Sequence, residues 1–151
     1  MHQTDTINRE VAAWGTHRRM AARVDALLNR ELARRTGLSE ADFVILCALA
    51  DMAGAPMRAL ALRYALEWEK SRLSHQLRRM EQRGLVVRDE CGEDSRGTVV
   101  RLTDKGRGLV TEARRCYQEA LHRHVFDALT PEQVDDLCAI AATVLRHLDA
   151  Y

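Results

Sequence analysis

The sequence predicts a mainly α-helical fold carrying one small β-hairpin. Apolar residues recur at steps of three and four over most of the chain. Two short β-branched runs lie close together at 85–88 and 97–102. Stop and start signals at Thr36-Gly37, Gly84 and Thr130-Pro131 divide the helical pattern into discrete segments. At 151 residues, with 46% hydrophobic and 30% charged residues and two prolines, the chain has enough apolar material for one domain or a compact obligate dimer, and disorder is excluded.

The first helix spans Asn8 to about Arg35, with Val11, Trp14, Ala21, Val24, Leu28 and Leu32 on its stripe. Ser39 is the expected N-cap of a second helix, Glu40 to about Asp51, with Asp42 completing a capping box. Ala53 to Pro56 is a break. A short helix from about Met57 to Tyr64 and another from about Lys70 to Arg83 follow, joined through Glu67-Trp68-Glu69. In the latter helix Leu73, Leu77 and Met80 form the apolar stripe, while Arg72, His75, Gln76, Arg79 and Arg83 are expected to project outward. Gly84 suits a left-handed helix end. Leu85–Arg88 and Gly97–Leu102 read as strands around a polar tip, Asp89 to Arg96. Thr103 is the expected cap of a long helix reaching about Ala128. Thr130-Pro131-Glu132-Gln133 is a full capping box opening the last helix, whose stripe is Val134, Leu137, Ala141, Val144 and Leu148.

The two terminal helical segments are long, amphipathic and distant in sequence. Their stripes exceed what the small central core can cover, which predicts packing against each other and a second copy. Val11, Val134, Leu137, Ala141, Val144 and Leu148 are the expected dimer contacts. Two short helices followed by a hairpin form the winged helix-turn-helix order. Its second helix fits the major groove of duplex DNA, where side chains near its N-terminus read base edges. Lys70, Ser71, Arg72, Ser74, His75 and Gln76 occupy that end, with Arg79 further along. Arginine suits guanine, glutamine suits adenine, and serine and lysine suit phosphate oxygens. Charge follows this division: residues 57–108 hold 12 Lys and Arg against 8 Asp and Glu, and the rest 11 against 14, within a net charge of +1.

The strings LSEADFVILCAL, WEKSRLSHQLRRMEQRGLVVR and DSRGTVVRLTDKG, between Leu38 and Gly106, closely resemble the MarR (multiple antibiotic resistance regulator) family of transcriptional regulators. The last string carries the family's wing signature, here Asp94, Arg96, Leu102, Thr103 and Gly106. The resemblance implies a single domain over 1–151, with dimerisation helices at 1–36 and 109–151 flanking a DNA-binding lobe at 38–108. It implies a homodimeric repressor of a palindromic operator, released by a small, aromatic or anionic effector. Ser71, Arg72, His75 and Gln76 would face the major groove. Arg96 would enter the minor groove, held by Asp94 through a charge-assisted hydrogen bond. The acidic tip residues Asp89, Glu90, Glu93 and Asp94 depart from this pattern by facing phosphate.

Trp14 and His17, one helical turn apart, could stack on a ring and meet a carboxylate in an effector crevice; the plainer reading makes Trp14 an interface anchor. Trp68 is a further ligand candidate, with packing of the motif the stronger reading. Cys91, in the wing loop, is the only candidate for thiol-based sensing; Cys47, Cys116 and Cys138 read as small core residues. His122 and His124 point about 200° apart on a helix, and although Cys116, Glu119 and His122 share a face, no metal site is expected. No phosphate loop, nucleophile elbow or zinc-protease motif is present, so neither an enzyme nor a cofactor is expected. With no apolar run of bilayer length and a polar Met1–Glu10, no membrane partner and a cytoplasmic location are expected. The competing function is a winged-helix protein-interaction module, whose recognition helix would expose apolar or acidic residues instead.

Overall fold

The computed structural model describes residues 2–90 and 97–151. Its elements are α1 (His2–Thr36), α2 (Glu40–Ala50), β1 (Met57–Arg58), α3 (Ala59–Leu66), α4 (Lys70–Gln82), β2 (Val86–Glu90), β3 (Thr98–Leu102), α5 (Asp104–His124) and α6 (Pro131–Leu148). The expected mainly helical class with a small antiparallel sheet is the observed one. A 3-10 turn at Phe126–Ala128 ends the α5 region, so this helix is shorter than its periodicity predicts. The first helix is longer and starts at His2. No helix among the described residues is long and apolar enough to cross a membrane.

Both expected capping boxes form. The Ser39 hydroxyl accepts the Asp42 N–H while the Asp42 carboxylate accepts the Ser39 N–H. Thr130 and Gln133 reciprocate in the same way on either side of Pro131. Each satisfies two of the N–H groups that a helix start leaves without partners. Gly84 takes φ +73° after α4, the left-handed conformation glycine adopts without a Cβ penalty.

The sheet corrects one expectation. Met57 and Arg58, read as the start of a helix, form β1 and pair antiparallel with Val100 and Val99. Strand order is β1-β3-β2, with Val86 opposite Leu102 and Glu90 opposite Thr98. β2 therefore extends two residues beyond the predicted strand end at Arg88.

The described residues divide into two compact units, Asn29–Tyr117 and a second made of Met1–Leu28 with Gln118–Tyr151. The first unit has one continuous core. Ile45, Leu46 and Leu49 of α2, Leu62 of α3, Leu73, Leu77 and Met80 of α4, and Val86, Val100 and Leu102 of the sheet meet there. The α4 stripe is thus buried as its spacing predicts. In the second unit only Leu28 and Ala120 are buried among the described residues. No residue of α6 is buried. Cys138, read as a core residue, is exposed on α6, while Cys116 is buried and Cys47 half-buried.

Candidate nucleic-acid interface

α4 owes its position to its buried face and to the turn before it. Glu67 adopts a left-handed conformation (φ 55°, ψ 39°) that closes α3. The Trp68 N–H donates to the Arg63 carbonyl at 3.1 Å, and the Trp68 carbonyl accepts Arg63 Nε at 3.2 Å. Three residues, Glu67 to Glu69, thereby connect the two helices. With Leu73, Leu77 and Met80 committed to the core, Lys70, Ser71, Arg72, Ser74, His75 and Arg79 are all exposed. Glu69 precedes α4 without a side-chain cap hydrogen bond, so no side chain of that residue occupies the first-turn N–H groups, which suit phosphate oxygens.

Two of the residues expected to project outward, half-buried Gln76 and exposed Arg83, are tied to Asp42 of α2. Gln76 is half-buried and donates from Nε2 to Asp42 Oδ1 at 2.6 Å. Arg83, just past α4, donates to Asp42 Oδ2 at 2.6 Å and to the Gly37 carbonyl at 3.1 Å. Asp42 is 1% exposed. A buried carboxylate needs partners to offset its lost hydration, and these donors supply them. The Gln76 amide is consequently turned onto α2 rather than toward a groove.

Arg72 behaves differently. Its guanidinium carbon lies 3.8 Å from the centroid of the Trp68 indole. Trp68 itself is half-buried against the core, so the ring expected either to pack or to bind ligand packs, and one face carries Arg72. Beside α4, Arg58, Arg63, Lys70 and Arg88 line a cavity of about 280 Å³ floored by Leu73 and Leu77. Arg88 is paired with Glu81, so Arg58, Arg63 and Lys70 supply the net positive charge around the N-terminal half of α4.

The hairpin is tied to α4 by Glu81, whose carboxylate accepts the Arg88 N–H at 2.8 Å and the Arg88 guanidinium at 3.1 Å. These bonds, the backbone one foremost, hold the Glu81 carboxyl below its ordinary range. Across the hairpin Arg101 pairs with Asp89 at 2.8 Å, which offsets part of the acidic load noted at the tip. Cys91, Asp94 and Arg96 lie outside the described residues. The Leu102-Thr103-Asp104-Lys105-Gly106 segment explains its own composition. The Thr103 hydroxyl accepts the Gly106 N–H, capping α5, and donates to the Gly84 carbonyl at 2.6 Å. A Cβ on Gly106 would sit 2.2 Å from the Leu85 carbonyl oxygen. Thr103 and Gly106 thus lock the start of α5 onto the turn that opens β2, a structural role that spacing does not reveal.

In the other unit Trp14 and His17 form a ring pair, with centroids 5.1 Å apart, and both are exposed. His122 lies 2.9 Å from Asp127. In the Asn29–Tyr117 unit, burial pushes the Cys47 thiol up against the opposing influence of the Arg114 guanidinium, which donates to the Cys47 carbonyl, and this disfavours the reactive thiolate.

A family model described as a winged helix DNA-binding domain matches residues 38–106. AbsC, a MarR family transcriptional regulator from Streptomyces coelicolor, is 32% identical, with a TM-score of 0.83 over 95% of this chain and 96% of that one. Sco3205, a regulator of the same family and organism solved in complex with DNA, is 31% identical, with a TM-score of 0.83 over 93% and 91% of the two chains. A mutant MarR from E. coli complexed with operator DNA is 26% identical, with a TM-score of 0.77 over 90% and 96%. The relatives are regulators, not enzymes, and α4 with its basic surroundings has the composition of a DNA-reading helix. The chain belongs to the MarR family and is a winged-helix DNA-binding transcriptional regulator.

Proposed function

We propose that this regulator is a homodimeric repressor that occupies a palindromic operator through two copies of α4 and leaves it when a small molecule binds. The observation that carries the DNA reading is the division of α4. One face is buried in the core, and the other presents Lys70, Ser71, Arg72, Ser74, His75 and Arg79 to solvent. Arg72 and His75 are placed to read base edges, and Lys70, Ser71 and Ser74 to hold phosphates. Gln76, engaged by Asp42, is assigned to positioning α4 instead. Arg96, oriented by Asp94, is assigned to the minor groove on the strength of the wing signature. A protein-interaction module is disfavoured because this face is neither apolar nor acidic.

The dimer reading rests on the unit formed by the two chain ends. Val11 is 67% exposed, and Leu137, Val144 and Leu148 of α6 are also exposed in the single chain. A second copy would cover these stripes, which supports 1–36 and 109–151 as dimerisation segments around a lobe at 38–108. Two recognition helices would then meet half-sites about 34 Å apart. Repression needs only that the occupied operator obstruct transcription. An effector that binds one dimer geometry better would shift the separation of the helices and weaken simultaneous docking. The exposed Trp14–His17 pair, an aromatic face beside an imidazole, suits an aromatic anion. A DNA-binding role also supports the expected cytoplasmic location.

Selection of bound duplexes from a random pool tests this reading. The expected product is an inverted repeat with half-sites about one helical turn apart. Failure to enrich any sequence, or enrichment of a single half-site, would overturn it.

A further inference from the structure

We propose that Trp68 is a positioning residue for DNA reading: its indole holds the Arg72 guanidinium in the orientation that meets a base edge. The proposal rests on the reading of α4 as the groove-entering helix. Three observations carry it. The guanidinium lies over the ring, 3.8 Å from the centroid, well within the range in which a cation is attracted to an aromatic face. Trp68 is a fixed platform, since its N–H and carbonyl both bond to Arg63 and its ring packs half-buried against the core. Arg72 makes no ion pair or hydrogen bond with another described side chain, unlike Arg83 and Arg88, which donate to Asp42 and Glu81.

That last contrast matters chemically. A carboxylate partner would orient an arginine by occupying the donors it needs for DNA. An aromatic face attracts the cation without taking up its N–H donors as carboxylate oxygens would, so the fork that bridges guanine O6 and N7 stays available. A flexible side chain at the mouth of the groove is thereby ordered before binding, so less freedom is lost when the base contact forms. Trp68 would influence sequence preference without touching DNA.

The test uses the full chain and a duplex selected by the unaltered protein from a random pool, with each half-site base pair varied in turn. Trp68→Met and Trp68→Leu keep apolar bulk without a π face, two variants so that a folding defect in one does not end the experiment. Trp68→Phe keeps a ring. Loss of the stack is expected to weaken binding about two- to fivefold, concentrated at the base pairs affected by Arg72→Ala, with Trp68→Phe retaining most of the affinity. In an Arg72→Ala background the Trp68 variants should cause no further loss. An equal loss in both backgrounds, or a loss spread evenly over all base pairs, overturns the proposal and makes Trp68 a packing residue alone. Unchanged affinity and preference in Arg72→Ala overturns both the proposal and the assignment of Arg72 to base reading.

Discussion

Asp42 of α2 accepts the Gln76 amide of α4 at 2.6 Å from a position 1% exposed to solvent. The same carboxylate closes the α2 capping box and receives Arg83. One buried side chain thus fastens the helix it caps to the helix proposed to read DNA.

Asp42→Ala removes three sets of bonds at once. Gln76 is left half-buried without its acceptor, whereas Arg83, 42% exposed at its side chain, can rehydrate. A loss of about 1–3 kcal/mol is expected, read by urea denaturation. Gln76→Ala should alter base preference less than Arg72→Ala does. A preference change as large from Gln76→Ala would mean that its amide leaves Asp42 for the groove.

Gly106→Ala sets two effects against each other. Alanine favours a helix over glycine by about 1 kcal/mol. Its Cβ, however, would lie 2.2 Å from the Leu85 carbonyl oxygen, and backbone must move to admit it. Overpacking of about 1–3 kcal/mol should dominate, lowering the melting temperature. A rise would show that the start of α5 can draw away from Leu85 freely.

Glu81 contributes a pH dependence of known sign. Its carboxyl is held below the ordinary value of 4.5 by the Arg88 N–H and guanidinium. Its contribution to stability is therefore present above about pH 4.5 and is lost as pH falls through the lower folded-state value. Glu81→Gln should flatten the acid limb of stability below pH 4.5 and leave its remaining shape unchanged. Identical acid limbs in the two proteins would remove Glu81 from the linkage.

A charge placed on α6 tests the dimer. Val144 is 45% exposed in the single chain, so Val144→Asp costs an isolated chain little, but it would strand a charge inside a covered interface. Sedimentation should show a dimer for the unaltered protein and a monomer for the variant, with tight operator binding lost. A monomeric unaltered protein that still binds a palindromic duplex tightly would defeat the dimer and the spacing mechanism.

The wing signature carries a prediction of its own. Arg96→Ala should weaken binding and reduce the slope of log affinity against log salt by about one, as for the loss of one phosphate-neutralising cation. Asp94→Ala should act in the same direction and more weakly. Tighter binding by Asp94→Ala would instead indicate relief of its repulsion from phosphate.

Local chemistry was sufficient for much of this architecture. Ser39 with Asp42, and Thr130 with Gln133, mark helix starts because a cap is made within four residues, and both boxes form as read. Gly84 marks a helix end through its own φ, and the α4 stripe is buried because its spacing matches the helical turn. The Trp68–Arg72 contact depends on the turn at Glu67 to Glu69, which sets Trp68 outside α4, so helical spacing alone does not give it. Other features depended on partners distant in the chain. β1 exists only because Val99 and Val100 supply its hydrogen bonds; two residues have no strand pattern of their own. Gly106 has no local need to be glycine until Leu85 packs against it. The direction of Gln76 was undecidable from α4 alone, since helical spacing gives the angle of a side chain but not the buried carboxylate, 34 positions earlier, that captures it.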